Sequence, residues 1–296
     1  MNLLDAVRLT CDRQGLLRGD LACAVSGGVD SVVLLHLLVE LGHRPCVVTL
    51  DHGLRPESRA EVQFVLAMAA VLGLEMMQGD LAVSPGPAKA ARARRARLAF
   101  FEGLPHDTIC LGHHLDDQAE TVLDRLARGA GSGGLGAMRA RRGRLVRPLL
   151  AHRRAELVAW AEERDLRWIE DPSNREGTRG ALRHTVLPAL ESLRPGAVRG
   201  LGRSARHLAE DDDLLTELAG GLLDDTGIPI RALRDAPPPL QRRAVLLLVR
   251  RDRGHGELSS GHIDSILRLQ RGNSAVDIPG GWRVVLSASR LRCSRT

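Results

Sequence analysis

The stretch "CAVSGGVDSVVLLHLL", residues 23–38, places a short polar loop between two apolar segments. The apolar run at 21–25 is typical of a buried strand, and the apolar positions from 29 to 41 fit a largely buried helix that stops near Gly42. The loop therefore presents backbone N–H groups at a helix N-terminus, which carries partial positive charge and suits an anion. We predict a strand–loop–helix unit with a phosphate site in its loop.

The side chains of this loop favour the same interpretation. Gly27 and Gly28 allow close backbone approach and positive φ, while Ser26 and Ser31 supply hydroxyl donors. A carboxylate at Asp30 would repel a phosphate, and a bridging divalent cation, usually Mg²⁺, removes that conflict. The alternative is a tight strand–helix turn in which the serines and the aspartate act only as caps.

Composition limits the class of protein. The chain has 296 residues, enough for one domain of about 200 residues and a smaller one. Its formal net charge is +6, and nearly all the positive charge comes from arginine because Lys89 is the single lysine. A basic surface rich in arginine favours polyanionic partners such as RNA. Tyrosine is absent and other aromatic residues are few, which argues against a stacking platform for single strands.

Cysteine spacing and hydropathy indicate a cellular compartment. The five cysteines are far apart and form no C-x-x-C, which removes the usual zinc and iron–sulfur spacings and fits a reducing environment. The N-terminal segment is too charged for a signal peptide, and no apolar run reaches the roughly 18 residues of a membrane span. We expect a soluble, cytoplasmic protein without membrane contact.

Apolar strand-like runs alternate with helical patterns over the first two thirds of the chain. Strands are predicted at 21–25, 45–50, 74–78, 108–111 and 145–149, and helices at 29–41, 59–72, 88–101, 115–128 and 153–164. This alternation predicts an α/β domain with a parallel sheet covered on both faces. Ligands of such sheets lie beyond the C-terminal ends of the strands, where "SGGVDS" (26–31), "DHGLR" (51–55) and "GHHLDD" (112–117) all fall.

The pattern changes after about residue 195. Helical segments are predicted at 198–218, 239–250 and 261–269, and "NSAVDIPGGWRVVLSASRLRCS" (273–294) is typical of short strands joined by Gly-Gly. We therefore predict a catalytic domain over residues 1–195 and a smaller α+β domain over residues 196–296.

The loop S-G-G-x-D-S after a first strand resembles the pyrophosphate loop, or PP-loop, of the N-type ATP pyrophosphatases. That family implies a Rossmann-like domain that cleaves ATP to AMP and pyrophosphate while adenylating a substrate oxygen. By this resemblance the loop holds the β,γ-phosphates and Asp30 holds Mg²⁺. The nucleotide contacts that it implies are Ser26, Gly27, Gly28, Val29, Asp30, Ser31 and His52.

Five further blocks narrow the resemblance. They are "DHGLRPESRAE" (51–61), "LGHHLDDQAETVLDRLARGAGSGGLGAM" (111–138), "RPLL" (147–150), "WIEDPSN" (168–174) and "RHTVLPAL" (183–190). Together they resemble the tRNA(Ile)-lysidine synthetases over roughly residues 20–195. This family adenylates the C2 oxygen of the wobble cytidine in the CAU anticodon, and the ε-amino group of free L-lysine then displaces AMP. The resemblance implies ATP, Mg²⁺, lysine and tRNA(Ile) as ligands. Beyond residue 195 it is faint, and we expect the smaller domain, residues 196–296, to contact tRNA.

Four polar residues lie at the start of the predicted helix 115–128: His113, His114, Asp117 and Glu120. Asp117 and Glu120 are i,i+3 neighbours on one face, where they could hold the ammonium groups of lysine or take a proton from its ε-amine. The alternative is a helix N-terminus that favours acids in any case. The two histidines lack a third ligand at zinc spacing. We predict catalytic roles for His113, Asp117 and Glu120.

"AARARRARLAF" (90–100) predicts an amphipathic helix rich in arginine. The family has an arginine pair that matches Arg94 and Arg97, which implies a catalytic role for Arg94 and a substrate contact for Arg97. Arg92 and Arg95 fit a solvated basic face. The chain departs from the family at positions 90 and 98, where alanine and leucine replace a glutamate and a tyrosine.

A last group of family positions follows at 171–183. The resemblance implies substrate contacts by Asp171, Asn174, Arg179 and Arg183. The family carries an Arg-Asn-Arg run here, and this chain has Gly180-Ala181 between its two arginines.

Two other functions remain open on the sequence. A PP-loop tRNA thiolase would use the same adenylation with sulfide as nucleophile, but such enzymes often need paired cysteines. A non-catalytic adenine-nucleotide-binding regulator would not need "HHLDDQAET" beside the nucleotide. The glycine-rich loop near 128–138 either closes over the site or is a connector. At this length we expect no extra C-terminal domain for tRNA discrimination, and the oligomeric state is left open.

Overall fold

The protein is described by a computed structural model that covers residues 1–51, 58–81, 89–170, 177–253, 258–269 and 274–296. It divides into two compact units, residues 1–206 and 207–296. The division falls inside the helix Ala197–Gly220, whereas the sequence places its domain boundary just before that helix.

The first unit alternates strands and helices. Its strands are β1 (Leu21–Ala24), β2 (Cys46–Asp51), β3 (Met76–Asp80), β4 (Thr108–Cys110), β5 (Arg141–Arg142) and β6 (Leu145–Val146). Its helices are α1 (Leu3–Gln14), α2 (Val29–Glu40), α3 (Ser58–Val71), α4 (Lys89–Gly103), α5 (Leu115–Ala127), α6 (Ser132–Leu135), α7 (Arg154–Glu162), α8 (Gly177–Ala181), α9 (Leu187–Leu193) and the start of α10 (Ala197–Gly220), which continues into the second unit. A π-helical turn, Leu182–Val186, joins α8 to α9.

The strands form one sheet in the order β3-β2-β1-β4-β6-β5. Its first five strands are parallel, which confirms the predicted α/β fold. The edge strand β5 instead pairs antiparallel with β6. Only two residues separate these strands, and Gly143 in that turn has φ +58°, a conformation that tight hairpin turns need and that glycine adopts without strain.

The strand order places the crevice of the sheet beside β1. Since β2 lies on one side of β1 and β4 on the other, the connections after β1 and after β4 leave in opposite directions. Ligands of open α/β sheets bind at such a switch point, outside the carboxyl ends of the strands. The loops 25–28 and 111–114 flank this crevice.

Helix α2 lies at the centre of the main core. Eight of its twelve residues are buried, because it packs on the sheet and against α7. A smaller apolar cluster joins α5 to α9 and the start of α10 through Leu115, Ala119, Leu187 and Val198. Gly202 of α10 lies so close that an added Cβ would be 2.3 Å from Leu115 Cδ1. The start of α5 is therefore held by apolar packing on a helix well separated in sequence.

The second unit has its own core and sheet. Its elements are β7 (Ile228–Pro229), α11 (Ile230–Asp235), α12 (Pro238–Arg253), α13 (Ser260–Leu267), β8 (Ser274–Ile278), β9 (Trp282–Ser287) and β10 (Arg290–Arg295). The strands form an antiparallel sheet in the order β7-β10-β9-β8, which agrees with the predicted α+β character of this part of the chain. Gly280 and Gly281, with φ of +87° and +72°, make the turn between β8 and β9. In the described part of both units, no helix is long and apolar enough to cross a membrane.

Candidate active site at the switch point of the sheet

The loop between β1 and α2 is shaped by its own serine and glycine residues. Ser31 Oγ donates to Gly28 O at 2.9 Å and accepts from Ser26 N at 3.2 Å. Gly27 has φ +85°, and its carbonyl accepts from Ile169 N at 2.9 Å. The N-cap of α2 is Gly28, which has no side chain to cap the helix, and no side-chain cap is found within the described part of the chain. The helix N-terminus therefore faces the crevice with its positive end available to an anion.

Asp30 lies in that first turn with its side chain about 30% exposed. Its Oδ1 atom is buried and has no hydrogen-bond partner among the residues that the structure describes, which leaves a carboxylate oxygen unsatisfied there. Such an oxygen fits a divalent cation. Among the described residues, no group of three or more His, Cys, Asp or Glu side chains could hold a metal ion by itself. An ion at Asp30 would therefore need phosphate or water oxygens to complete its shell, which is the usual arrangement for Mg²⁺.

Gly112 brings the end of β4 onto this loop. A Cβ at this position would lie 3.1 Å from the carbonyl carbon and oxygen of Asp30 and 3.1 Å from Ser31 N. These are backbone atoms in the first turn of α2, which cannot move independently of the helix. The two loops that flank the crevice thus lie in direct contact because position 112 has no side chain.

His114 connects the two loops through its side chain. It is the N-cap of α5, where Nδ1 accepts from Asp117 N at 3.3 Å while Asp117 Oδ2 accepts from His114 N at 3.1 Å. Its other ring nitrogen, Nε2, lies 3.5 Å from Asp30 Oδ2 and 3.4 Å from Asp117 Oδ2. Burial alone would lower the pKa of His114, but contact with Asp30 and the neighbouring carboxylates raise it.

His113, the adjacent residue, has the opposite character. Burial lowers its pKa to about 4. Asp117 opposes that shift, whereas the positive charges of Arg147, Arg179 and Arg94 add to it. His113 is therefore neutral at neutral pH and can accept or donate a hydrogen bond without carrying charge.

Asp117 and Glu120 form a charged cluster with two arginines. Glu120 Oε2 accepts from Arg179 Nε at 2.9 Å, and Glu120 Oε1 accepts from Arg183 Nε at 2.6 Å. Arg183 Nη2 also donates to Asp117 Oδ1 at 2.9 Å. Glu120 is only 1% exposed, so its charge requires these partners. The structure thus brings together four predicted site residues from α5, α8 and the π-helical turn, with charges that balance.

A positive edge lies next to this cluster. Burial, followed by the charges of Arg94 and Arg142, lowers the pKa of Arg147 to about 10. Partial desolvation, followed by the charges of Arg94 and Arg179, lowers the pKa of Arg97. The charge of Arg94 thus acts on both Arg97 and Arg147, and that of Arg179 acts on Arg97. Such a group of arginines suits phosphate groups. Arg147 was not among the predicted site residues, although its block "RPLL" was noted.

Two further residues next to the phosphate loop were also missed. Asp116 Oδ2 accepts from Arg154 N at 2.8 Å, at the start of α7. The Arg154 Nε atom in turn lies 3.7 Å from Asp30 Oδ1. The signal in the sequence was the doubled acid of "LDDQ", of which only the second was assigned a role.

Some predicted contacts cannot be placed in the same way. His52, Asp171 and Asn174 lie outside the described residues. Val29 is 2% exposed, so its side chain belongs to the core and only its backbone borders the loop. The glycine-rich segment after α5 is anchored to that helix, since Gln118 Nε2 donates to Met138 O and Gln118 Oε1 accepts from Met138 N, both at 2.9 Å.

Comparison with known proteins places this geometry in a family. Residues 11–190 match the family model described as a PP-loop domain. The chain is similar to a tRNA(Ile)-lysidine synthase of Pseudomonas fluorescens, with 41% identity over 238 residues that cover 76% of this chain and 54% of the relative. It also matches a tRNA(Ile)-lysidine synthase of Novosphingobium aromaticivorans, with 39% identity over 83% of this chain and 79% of that relative. The chain thus spans about half the length of the first relative and most of the second.

Structural comparison agrees on the fold. The U34-tRNA thiolase NcsA from Methanococcus maripaludis superposes with a TM-score of 0.56 at 20% identity, over 70% of this chain and 78% of the thiolase. This similarity supports a shared fold and nothing finer. The family model covers more than half of the chain, and the sequence relatives agree on one kind of enzyme. The chain therefore belongs to the PP-loop family and, within it, to the tRNA(Ile)-lysidine synthases.

Proposed function

We propose that this chain joins free L-lysine to C2 of the wobble cytidine in the CAU anticodon of tRNA(Ile), through an adenylated cytidine. The observation that carries the proposal is the contact between two chemically different sites. A phosphate loop with an unsatisfied carboxylate lies on one side of the crevice, and the charged cluster of Asp117, Glu120, Arg179 and Arg183 lies on the other. Adenylation and amine attack need these two kinds of site side by side.

ATP is the nucleotide that PP-loop membership implies, and the loop at 26–31 fits its phosphates. Mg²⁺ would be held by Asp30 together with phosphate oxygens, and it would supply neutralisation of charge between the carboxylate and the nucleotide. The N-terminus of α2 and the hydroxyls of Ser26 and Ser31 would orient the phosphates. These residues would thus present the α-phosphorus to the C2 oxygen of cytidine.

Lysine fits the charged cluster because both are zwitterionic. Arg179 is about 56% exposed, so its guanidinium can bind the α-carboxylate of lysine. Asp117 is more exposed than Glu120 and is the better acceptor for an ammonium group. Neutral His113, next to Asp117, is placed to take a proton from the attacking ε-amine. Glu120 holds Arg179 and Arg183 in position while lysine binds to Arg179 and Asp117.

The alternative of a tRNA thiolase has less support. Such enzymes often need paired cysteines, which must be accessible to react, and all five cysteines here are buried or half-buried. Burial is the largest cause that raises the pKa of each of them, to about 12 for Cys11. A non-catalytic nucleotide-binding protein would leave the charged cluster beside the loop without a use.

The deciding experiment incubates the protein with a CAU-anticodon tRNA(Ile) transcript, ATP, Mg²⁺ and labelled lysine. We expect label in the tRNA and one AMP formed for each lysine incorporated. A transcript with guanosine at the wobble position, which carries an amino group at C2 in place of the oxygen, is the matched control and should take up no label. In a parallel reaction with sulfide in place of lysine, sulfur incorporation would favour the thiolase, and the absence of both products would contradict both functions.

A further inference from the structure

Helices α2 and α7 pack against each other with their N-termini at the phosphate loop. Asp30 is the second residue of α2, and Arg154 is the first residue of α7. The distance of 3.7 Å between Arg154 Nε and Asp30 Oδ1 exceeds that of a hydrogen bond, and Oδ1 has no hydrogen-bond partner. The guanidinium of Arg154 therefore lies at the phosphate loop in a long ion pair with Asp30 rather than in a hydrogen bond.

The neighbouring arginine differs in this respect. Arg153 donates from Nε to Asp116 Oδ1 at 3.1 Å and from Nη1 to Glu191 Oε1 at 3.4 Å, and its side chain is 24% exposed. The side chain of Arg154 is 43% exposed, and within the described residues its ion pair is the long contact with Asp30. Arg153 is thus a structural residue, whereas Arg154 offers donors to a ligand.

Asp116 fixes the main chain of Arg154. The N-cap of α7 is Arg153, whose side chain has donors only and cannot accept from the first N–H groups of the helix. Asp116 of α5 supplies the missing acceptor, since its Oδ2 accepts from Arg154 N at 2.8 Å. Its Oδ1 binds Arg153. The start of α7 is therefore tied to the first turn of α5, which also carries the charged cluster.

We propose that Arg154 is a catalytic residue that binds the β,γ-phosphates of ATP and stabilises pyrophosphate as it leaves, and that Asp116 is its positioning residue. This inference rests on the proposed function. In the adenylation step the C2 oxygen of cytidine forms a bond to the α-phosphorus, and the bond from that phosphorus to the α,β-bridging oxygen breaks. The electron pair of the broken bond leaves with pyrophosphate, where negative charge increases. A guanidinium with its fork of donors is suited to that charge.

The test measures binding of inorganic pyrophosphate and of AMP by calorimetry, with Mg²⁺ present and no turnover. Arg154→Ala should raise the Kd for pyrophosphate at least about tenfold, because a charge-assisted contact is lost, and leave the Kd for AMP nearly unchanged. Arg154→Lys should fall between this variant and the wild type, since a lysine keeps the charge but not the fork. Arg13→Ala is the matched control, because Arg13 is exposed and lies in the last turn of α1, which precedes the amino end of β1.

The outcomes separate the inference from the proposed function. Unchanged pyrophosphate affinity in Arg154→Ala, with normal thermal unfolding and normal AMP binding, would overturn the role of Arg154 and leave the proposed function standing. A wild-type protein that binds neither ATP nor pyrophosphate would contradict the proposed function itself.

The positioning role of Asp116 is tested by substituting it both in the wild type and in Arg154→Ala. Asp116→Asn should weaken pyrophosphate binding in the wild-type background and have no further effect in Arg154→Ala, since the two residues act on one contact. The rate of AMP formation with tRNA should likewise fall in Asp116→Asn and fall no further when Asp116→Asn is added to Arg154→Ala. Additive losses in the double variant would show that Asp116 acts on stability rather than through Arg154.

Discussion

At the scale of single residues, the site is defined by which charges are compensated. Asp117 and Glu120 are bonded to arginines, whereas Asp30 keeps an oxygen without a hydrogen bond. A hydrogen-bonded carboxylate stabilises local structure, and a carboxylate oxygen without a hydrogen bond is available to a cation. Arg141 and Arg144 show the same distinction for positive charge: Arg141 donates to Gly15 O at 2.9 Å and Arg144 to His106 O at 2.9 Å, so both serve the fold.

Asp30→Asn should lower the rate of AMP formation in the presence of tRNA by at least about a hundredfold, as expected when the ligand of a catalytic metal is lost. The fold should remain intact, because the side chain is partly exposed and its Oδ1 makes no hydrogen bond. The rate is measured at several Mg²⁺ concentrations. Asp12→Asn, an exposed acid on α1, is the control. A variant at position 30 with near wild-type rate and Mg²⁺ dependence would refute the metal role.

Glu120→Gln should raise the apparent KM for lysine by about ten- to a thousandfold, because loss of a buried charge that holds two arginines costs a few kcal/mol. ATP affinity should change little, since the phosphate loop lies on another strand. Steady-state lysine incorporation and ATP calorimetry measure the two effects. Asp124→Asn, on the same helix and paired with Arg128, is the control. Equal losses of lysine and ATP affinity would count against the lysine site.

The low pKa of His113 predicts a dependence of stability on pH. With a pKa of about 4 when folded, against about 6.5 when unfolded, the unfolded chain binds a proton first as the pH falls. The contribution of His113 to the free energy of unfolding is thus complete above pH 6.5 and lost progressively toward pH 4. Between pH 7 and pH 4.5 the free energy of unfolding should fall in both proteins, but by on the order of 2 kcal/mol less in His113→Asn than in the wild type. Urea unfolding at several pH values measures the difference. Identical pH profiles would show that His113 is not the group responsible.

At the scale of elements, the site depends on how closely β4 approaches α2. Three helix N-termini, those of α2, α5 and α7, converge at the crevice and are joined by His114 and Asp116. The ion-pair contact of His114 with Asp30 and the hydrogen bonds of Asp116 hold this arrangement, and the absence of a side chain at Gly112 permits it. A change of backbone spacing here would alter the phosphate loop and the charged cluster together.

Gly112→Ala should therefore destabilise the fold by about 1–2 kcal/mol and weaken ATP binding about tenfold or more, because the new methyl group meets backbone that cannot yield. Calorimetry and urea unfolding measure the two effects. Gly103→Ala is the matched control, since a Cβ there meets nothing within 4 Å. If both variants bind ATP like the wild type, the contact between the loops is not critical.

At the scale of the whole molecule, an arginine-rich chain with a net charge of +6 is suited to RNA. The arginines are not equivalent, since those of α4 border the site while others bind carbonyl groups. Each unit has its own apolar core. We retain as a prediction that the smaller unit, residues 207–296, contributes contacts to tRNA.

Binding of tRNA should weaken steeply as salt concentration rises, because arginine–phosphate contacts release counterions. Arg94→Ala and Arg97→Ala should each reduce the slope of log Kd against log salt by about 1, and both should lower turnover more than Arg92→Ala on the same helix. Binding is measured by filter retention at several salt concentrations. Equal, negligible effects at the three positions would indicate that α4 presents only a solvated basic face.

The sequence by itself determined the alternation of strands and helices and the motifs at the strand ends. Both are encoded locally: the elements by the spacing of apolar residues, and the loops by glycines that adopt backbone conformations closed to other residues. It missed α1 and the antiparallel strand β5, whose patterns are short or weak. Only the tertiary structure decided which charges meet: Glu120 with Arg179 and Arg183, and Asp116 with the start of α7. Such pairs join residues well separated along the chain, and a charge compensated by a distant partner leaves no periodic signal in the sequence.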